Sequence, residues 1–298
     1  MESTWFQENL IDMKSVSVGS SKSMEPLIVN FAPTGMIPMK DQVESVPISP
    51  QEIVEEVHQA YELGIAIAHL HARKPDGTPS SEAADYAPIL EGVRKHCPDL
   101  VVCASLSGRS VSDAAARAEV LSLKPDMGSL TLSSLNFVKQ ASVNAPSTIQ
   151  ELAHLIHEAG ARPELEVFDL GMVNYFNYLI SKGLVTPPYY VNVILGNIAG
   201  AQLNAGHLAA LERDLPPGAL LALGGIGQQQ LDAHLVAMGL GWGVRVGLED
   251  NIYWDRRREH ITQNLHLLGR IHALANLAQR PVMSAAALGK MGFYNRLR

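Results

Sequence analysis

Eight short apolar runs alternate with eight helix-length amphipathic segments from residue 26 onward, and this rhythm predicts an α/β fold, a single-domain (β/α)8 TIM barrel with a polar N-terminal extension. Two further observations point the same way. No Gly-x-Gly-x-x-Gly fingerprint opens a helix after the first run, and eight strands exceed the about five to seven of a doubly wound open sheet. The 298 residues also accommodate one barrel of about 250 residues plus extensions.

The elements follow in order. Residues 1–25, "MESTWFQENLIDMKSVSVGSSKSME", lack a basic start and an apolar core, so they read as a polar arm rather than a signal peptide, either ordered against a partner subunit or frayed. The barrel is expected over 26–298. "LIVNFAP" (27–33) is strand 1, followed by a helix at about 50–63; "IAIAHLH" (65–71) is strand 2, followed by one at 81–96. "LVVCAS" (100–105) and "MGSLTL" (127–132) precede helices at 111–123 and 147–159. "ELEVF" (164–168) and "YVNVIL" (190–195) precede helices at 171–182 and 200–213. "ALLALG" (219–224) and "GVRVGL" (243–248) precede helices at 228–239 and 256–279, and a C-terminal helical tail ends the chain. Pro-Gly or Gly breakers separate most units.

Bulk composition excludes several function classes. With Lys+Arg 23 against Asp+Glu 30, the net charge is −7, and no basic stripe exists for nucleic acid. The run "DRRREH" (255–260) reads as a solvated helix face. No stretch reaches 18 uninterrupted apolar residues, so no membrane span is expected. The 2 cysteines, Cys97 near a helix end and Cys103 inside a strand, do not make a disulfide framework, which fits a reducing cytoplasm.

In such barrels, reactive groups sit at the C-terminal strand ends. Strand 2 ends in His69 and His71, two apart and therefore on one face, with Leu70 turned away. The spacing leaves two readings open, a divalent-metal pair or hydrogen-bonded core histidines. His154, His157, His234 and His272 fall in helical segments and read as surface or packing residues. Strand 8 delivers Glu249 and Asp250 after Arg245; two carboxylates leaving a buried strand need a cation as partner. Only strand 1 separates strands 8 and 2 in a closed barrel, so Glu249 can meet both imidazoles. The alternative is that Glu249 caps the next segment and Asp250 pairs with Arg245. Strand ends also offer Thr34, Ser105, Ser129, Thr131, Glu164 and Glu166; hydroxyls at such ends often bond to backbone, so each taken alone reads as structural more readily than catalytic. "GGIG" (224–227) could cradle a phosphate with its N–H groups.

Taken as a set, "HLHARKPDGTPS", "EVFDLGM", "LGGIG" and "VRVGLEDN" resemble the β-keto acid cleavage enzyme family, whose founding activity is 3-keto-5-aminohexanoate cleavage. The resemblance runs from about residue 26 to the C-terminus. It implies a zinc-dependent TIM barrel, commonly a homotetramer, that converts a β-keto acid and acetyl-CoA into acetoacetate and a new acyl-CoA. It implies His69, His71 and Glu249 as ligands of one zinc ion per subunit, and Ser105, Arg245, Asp250 and Glu166 as catalytic groups. Zinc would act as a Lewis acid stabilising an enolate, Asp250 would remove the C2 proton, and Ser105 and Arg245 would orient it; retro-Claisen cleavage would follow.

Two departures stand out. The founding enzyme has a Glu two residues after the strand 1 Thr-Gly, suited to an ammonium, where this chain has Ile37. An isoleucine cannot pair with an ammonium, so an uncharged aliphatic tail is expected, lying against Thr34, Ile37, Ser129 and Thr131. The family's strand 4 Thr is Ser129 here, which keeps the hydroxyl. Rival readings are a metal-dependent hydrolase, a CoA-independent aldolase and a non-catalytic metabolite-binding barrel. The hydrolase would recruit histidines from strands 5 and 6, and "ELEVF" and "YVNVIL" contain none.

Overall fold

The structure, a computed structural model, describes residues 25–298. The polar arm expected at 1–25 lies, except for Glu25, outside the described residues. Eight parallel strands close into a barrel: β1 (Val29–Phe31), β2 (Ile67–Leu70), β3 (Val101–Ala104), β4 (Met127–Thr131), β5 (Arg162–Val167), β6 (Tyr190–Leu195), β7 (Leu220–Gly225) and β8 (Gly243–Val246). They are ordered around it as in the chain, β8 pairing with β1, so that Asn30 lies beside Arg245 on one side and Ile67 on the other.

Helices α1 (Pro50–Leu63), α2 (Ala83–His96), α4 (Pro146–Glu158), α5 (Leu170–Ser181) and α7 (Gln229–Leu240) lie within a few residues of the expected spans. The α1 start is fixed by a capping box, in which the Ser49 hydroxyl accepts from Glu52 N–H and the Glu52 carboxylate accepts from Ser49 N–H. Three segments differ from expectation. The stretch 111–123 is helical as α3 (Ala114–Ala118) and then tightens into a 3₁₀ turn (Glu119–Leu123). Helix α6 (Ala205–Asp214) starts late because Ala201 N–H is donated to the Phe168 carbonyl and the Asn204 side chain caps at His207 N–H. Helix α8 (Asn264–Leu277) starts late, since the Asp255 carboxylate gathers the N–H groups of Arg257, Glu259 and His260 into a closed loop. "DRRREH" is therefore a loop, not a helix face.

Side chains alternate between two cores. Outward-facing residues such as Leu70, Ala104 and Val193 pack under the helices, while Ile67, Val101, Met127 and Tyr190 fill the barrel's N-terminal end. The tail after α8, with Leu288 and Phe293 fully buried, closes that end, the Phe293 ring meeting Tyr190 edge-on at 6.3 Å. The floor is thus apolar and sealed, and polar groups concentrate in the upper half of the lumen. Two short antiparallel ribbons absent from the expected elements, Ala72–Arg73 with Pro79–Ser80 and Leu135–Asn136 with Ala141–Ser142, rise from the ends of β2 and β4. Cys97 and Cys103 are both free. No described helix is long and apolar enough to cross a membrane.

Candidate active site

Alternation along β2 points Ile67 and His69 into the lumen, and His71 follows on the same face. The two Nε2 atoms stand 3.3 Å apart. Glu249 Oε1 completes the triangle at 3.3 Å from His71 Nε2 and 3.8 Å from His69 Nε2. Donors about 2.0–2.2 Å from a tetrahedral divalent ion lie roughly 3.4 Å from one another, so these separations fit a shared cation. The other Glu249 oxygen is buried and has no hydrogen-bond partner, as expected of a carboxylate set aside for a ligand. Glycine makes the approach possible. A Cβ on Gly35 (φ +60°) would stand 2.5 Å from Glu249 Cγ, and one on Gly247 would stand 1.9 Å from the Ala32 carbonyl oxygen.

Beneath the triad lies a network that the strand-end reading did not assign. Glu164, fully buried on β5, contacts His69 Nδ1 with Oε2 and accepts the Cys103 thiol at 3.1 Å. Its Oε1 accepts Asn30 Nδ2 at 2.5 Å and Asn192 Nδ2 at 2.9 Å, and Tyr190 donates to Asn192 Oδ1 at 3.0 Å. Burial works to depress His69, but Glu164 lifts it to about 9; Nδ1 is held against Glu164 and Nε2 faces His71 and Glu249, where a bound cation would replace the Nε2 proton. His71 has no such partner below it, and burial depresses it. His69, Cys103 and Glu164 also form a cluster of metal-binding atom types. Burial pushes the Cys103 thiol well up and Glu164 is already fully hydrogen-bonded, so this cluster is a hydrogen-bond network rather than a second cation site.

Arg245, buried on β8, forks between two carboxylates, with Nη2 2.7 Å from Glu249 Oε1 and Nε 2.9 Å from Asp250 Oδ2. Burial works to raise Glu249, but Arg245 and then the two imidazoles hold it well below the usual carboxylate range. Asp250 goes the other way: burial and Glu249 raise it further than Arg245 lowers it. Glu166 is likewise raised by burial, and its Oε2 accepts the Thr131 hydroxyl at 2.6 Å. The expected Asp250–Arg245 pairing is therefore present, whereas Glu249 accepts no backbone N–H as a cap among the described residues.

A cavity of about 340 Å³ opens above these groups and is bounded by His69, His71, Ser105, Glu166, Arg245 and Asp250. Ser105 makes no side-chain hydrogen bond among the described residues, whereas the Ser129 hydroxyl accepts Leu106 N–H at 3.0 Å and fixes the β3 exit. Thr131, Ser129 and the half-exposed Ile37 also border the cavity. Thr34 does not: it is fully buried behind the wall, and its carbonyl accepts from Arg73. The "GGIG" turn is not a free cradle either, because Ile226 N–H is donated to Leu195 O and Gly227 N–H to Asp250 O. The sequence reading missed Arg109, four residues past Ser105, whose guanidinium stacks on Phe137 and faces the cavity. Its signal, a cation in a loop just past a strand end, was present in "SLSGRS".

Comparison with known proteins places the chain among relatives of one family. Residues 26–291 match the family profile described as beta-keto acid cleavage enzyme. The chain is 35% identical over 267 residues to the 3-oxoadipate:acetyl-CoA acetyltransferase of Cupriavidus necator, covering 88% of this chain and 93% of that protein. It is 32% identical over 234 residues to a 3-keto-5-aminohexanoate cleavage enzyme of Fusobacterium nucleatum subsp. nucleatum, covering 78% and 85%. Among solved structures, ObcA in binary complex with oxaloacetate superposes with a TM-score of 0.72 at 20% identity, over 84% of this chain and 68% of that one, a likeness of fold.

Proposed function

Because the chain belongs to the β-keto acid cleavage enzyme family, we propose that it uses one divalent cation, zinc, per subunit to convert a β-keto acid and acetyl-CoA into acetoacetate and the corresponding acyl-CoA. The observation that carries this reading is the triangle of His69, His71 and Glu249 beside a raised Asp250 and an unpartnered Ser105 in one cavity. His69, His71 and Glu249 would hold the cation, which when bound supplies Lewis-acid polarisation of the keto oxygen.

The chain's own groups account for the rest. Asp250 keeps one oxygen on Arg245 Nε, and burial makes the carboxylate more basic, so it takes the C2 proton of the keto acid. The C2 electron pair attacks the acetyl carbonyl and expels the CoA thiolate. That thiolate adds to the β-carbonyl, the C2–C3 bond breaks, and acetoacetate leaves after the carbanion regains the proton from Asp250. Arg245 and Ser105 hold the charge that appears on oxygen, and Glu166, tied to Thr131, lines the same wall. Ile37 gives an apolar wall without a countercharge, which argues against a cationic tail. The lack of histidine on β5 and β6 disfavours the hydrolase reading.

Assembly and location belong to the same reading. A homotetramer is part of the proposal through the family resemblance alone, and a cytoplasmic setting is in keeping with two free thiols. The test is a panel of β-keto acids incubated with acetyl-CoA and zinc-loaded protein, following acetoacetate and acyl-CoA together. Formation of both in equal amounts is expected; zinc-loaded protein that forms neither from any keto acid overturns the reading.

A further inference from the structure

Among the described residues, the buried guanidiniums in and near the cavity all have acceptors of their own, although one Nη1 each of Arg245 and Arg117 has none. Arg245 serves Glu249 and Asp250; Arg73 donates to the carbonyls of Gly35, Pro38 and Gly77; Arg117 donates to the Leu106 carbonyl and Asn144 Oδ1. Arg109 differs. Its only hydrogen bond is from its backbone N–H to Ser107, and no described acceptor or carboxylate meets its guanidinium. Cζ lies 3.4 Å from the centroid of the Phe137 ring, which is itself braced edge-on by Phe168 at 5.9 Å. Stacking occupies one face of the planar group and leaves its in-plane N–H edge open.

Its position narrows what that edge can bind. Arg109 is half-buried and borders the same cavity as the triad, whereas the other unpaired cations there, Lys139 and Arg258, are exposed at the rim. Burial weakens its charged form, and the charges that oppose this are Glu249, Glu166 and Asp250, so the guanidinium stands within Coulomb reach of the reacting centre. Two of those carboxylates are already engaged by Arg245 and the third by Thr131. A half-desolvated cation without its own anion is costly unless a ligand supplies one.

We propose that Arg109 anchors an anionic group at the end of the keto acid remote from its reacting carbons, so that the cavity takes β-keto dicarboxylates. The proposal rests on the transferase reading for which end reacts. One carboxylate is needed at the triad; a short methylene stem suits the apolar walls of Ile37 and Phe137; the second carboxylate meets the open N–H edge bidentately. The phosphates of CoA are a poorer match, since a full pantetheine arm separates them from the thioester that must reach the triad. The expectation of an uncharged tail took Ile37 into account but not the cation that shares its cavity.

The test uses 3-oxoadipate and 3-oxohexanoate, which differ only in the terminal carboxylate, on zinc-loaded wild-type protein and Arg109→Met, which keeps an unbranched apolar chain against Phe137. Binding of each keto acid without acetyl-CoA is measured by calorimetry, and KM for each keto acid and for acetyl-CoA by product formation. Wild type should bind 3-oxoadipate at least about ten-fold more tightly, and Arg109→Met should lose that margin while 3-oxohexanoate and acetyl-CoA change less than about two-fold. Equal binding of both keto acids by wild type overturns the proposal and needs no variant. An equal loss for both keto acids in the variant overturns it in favour of a loop-pinning role, and a loss confined to acetyl-CoA overturns it in favour of a phosphate contact. Discrimination in binding without any acetoacetate formation leaves the anion site standing and refutes the transferase reading instead.

Discussion

Glu164 holds His69 from below, its carboxylate against Nδ1, across 95 residues of chain and from β5 to β2. The contact fixes the tautomer that presents Nε2 to His71 and Glu249, and Asn30 and Asn192 in turn lock the carboxylate. A carboxylate behind a ligating imidazole orients the ring and raises its basicity.

Replacing Glu164 with Gln should lower zinc affinity by about 10–100-fold while the protein still folds. Competition with a chromophoric chelator measures it directly, independent of turnover. Affinity within about three-fold of wild type would remove Glu164 from any role in positioning the ligand.

Gly35 leaves the space that Glu249 occupies. Alanine there would bring Cβ to 2.5 Å from Glu249 Cγ and hold a left-handed φ that costs about 1–2 kcal/mol. Gly35→Ala should reduce both thermal stability and zinc affinity, and a variant that keeps wild-type affinity in the same chelator assay shows that Glu249 is not a ligand.

Asp250→Asn should abolish exchange of the C2 protons of the keto acid with D2O, followed by NMR without acetyl-CoA, by about 10²–10⁴-fold. Zinc content should remain one per subunit, because Asp250 lies outside the triangle. Undiminished exchange would transfer the role of base to another group, of which Glu166 is the nearest candidate in character.

His234 gives a pH dependence that can be tested away from the metal site. It is fully buried on α7, its Nε2–H donates to the Arg245 carbonyl at 2.9 Å, and burial depresses it from 6.5 to about 4. Between these values the unfolded chain binds a proton that the folded one refuses. The contribution is therefore intact above pH 6.5 and declines as pH falls towards 4, by about 3 kcal/mol in all. His234→Gln keeps a donor without the titration, so between pH 7 and 5 it should lose about 2 kcal/mol less stability than wild type in urea unfolding. Parallel losses would refute the assignment.

Much of the barrel was legible because its strands are short apolar runs at regular spacing, and periodicity reports burial wherever one face dominates. Where local polar chemistry took over, periodicity misled: the Asp255 carboxylate folds 255–260 into a loop despite a helix-like pattern. His69, His71 and Glu249 could be paired on paper because closure makes strands 8 and 2 near neighbours. Glu164 could not be assigned, since whether a strand 5 carboxylate meets His69 depends on barrel stagger that the sequence does not display. Thr34 misled for a related reason: a hydroxyl one residue past a strand end can face the wall as easily as the mouth.

Barrel closure by β8 on β1 also bears on how the molecule comes into being. The bonds that shape the mouth join distant parts of the chain, Asn264 to Pro33 across 231 residues and Asn30 to Glu164 across 134. Contacts this far apart in sequence make for slow folding, and His69, His71 and Glu249 meet only once β1 has paired with both β8 and β2. Zinc uptake would then count finished molecules: metal binds only what has closed, and by mass action it draws the folding equilibrium towards closure.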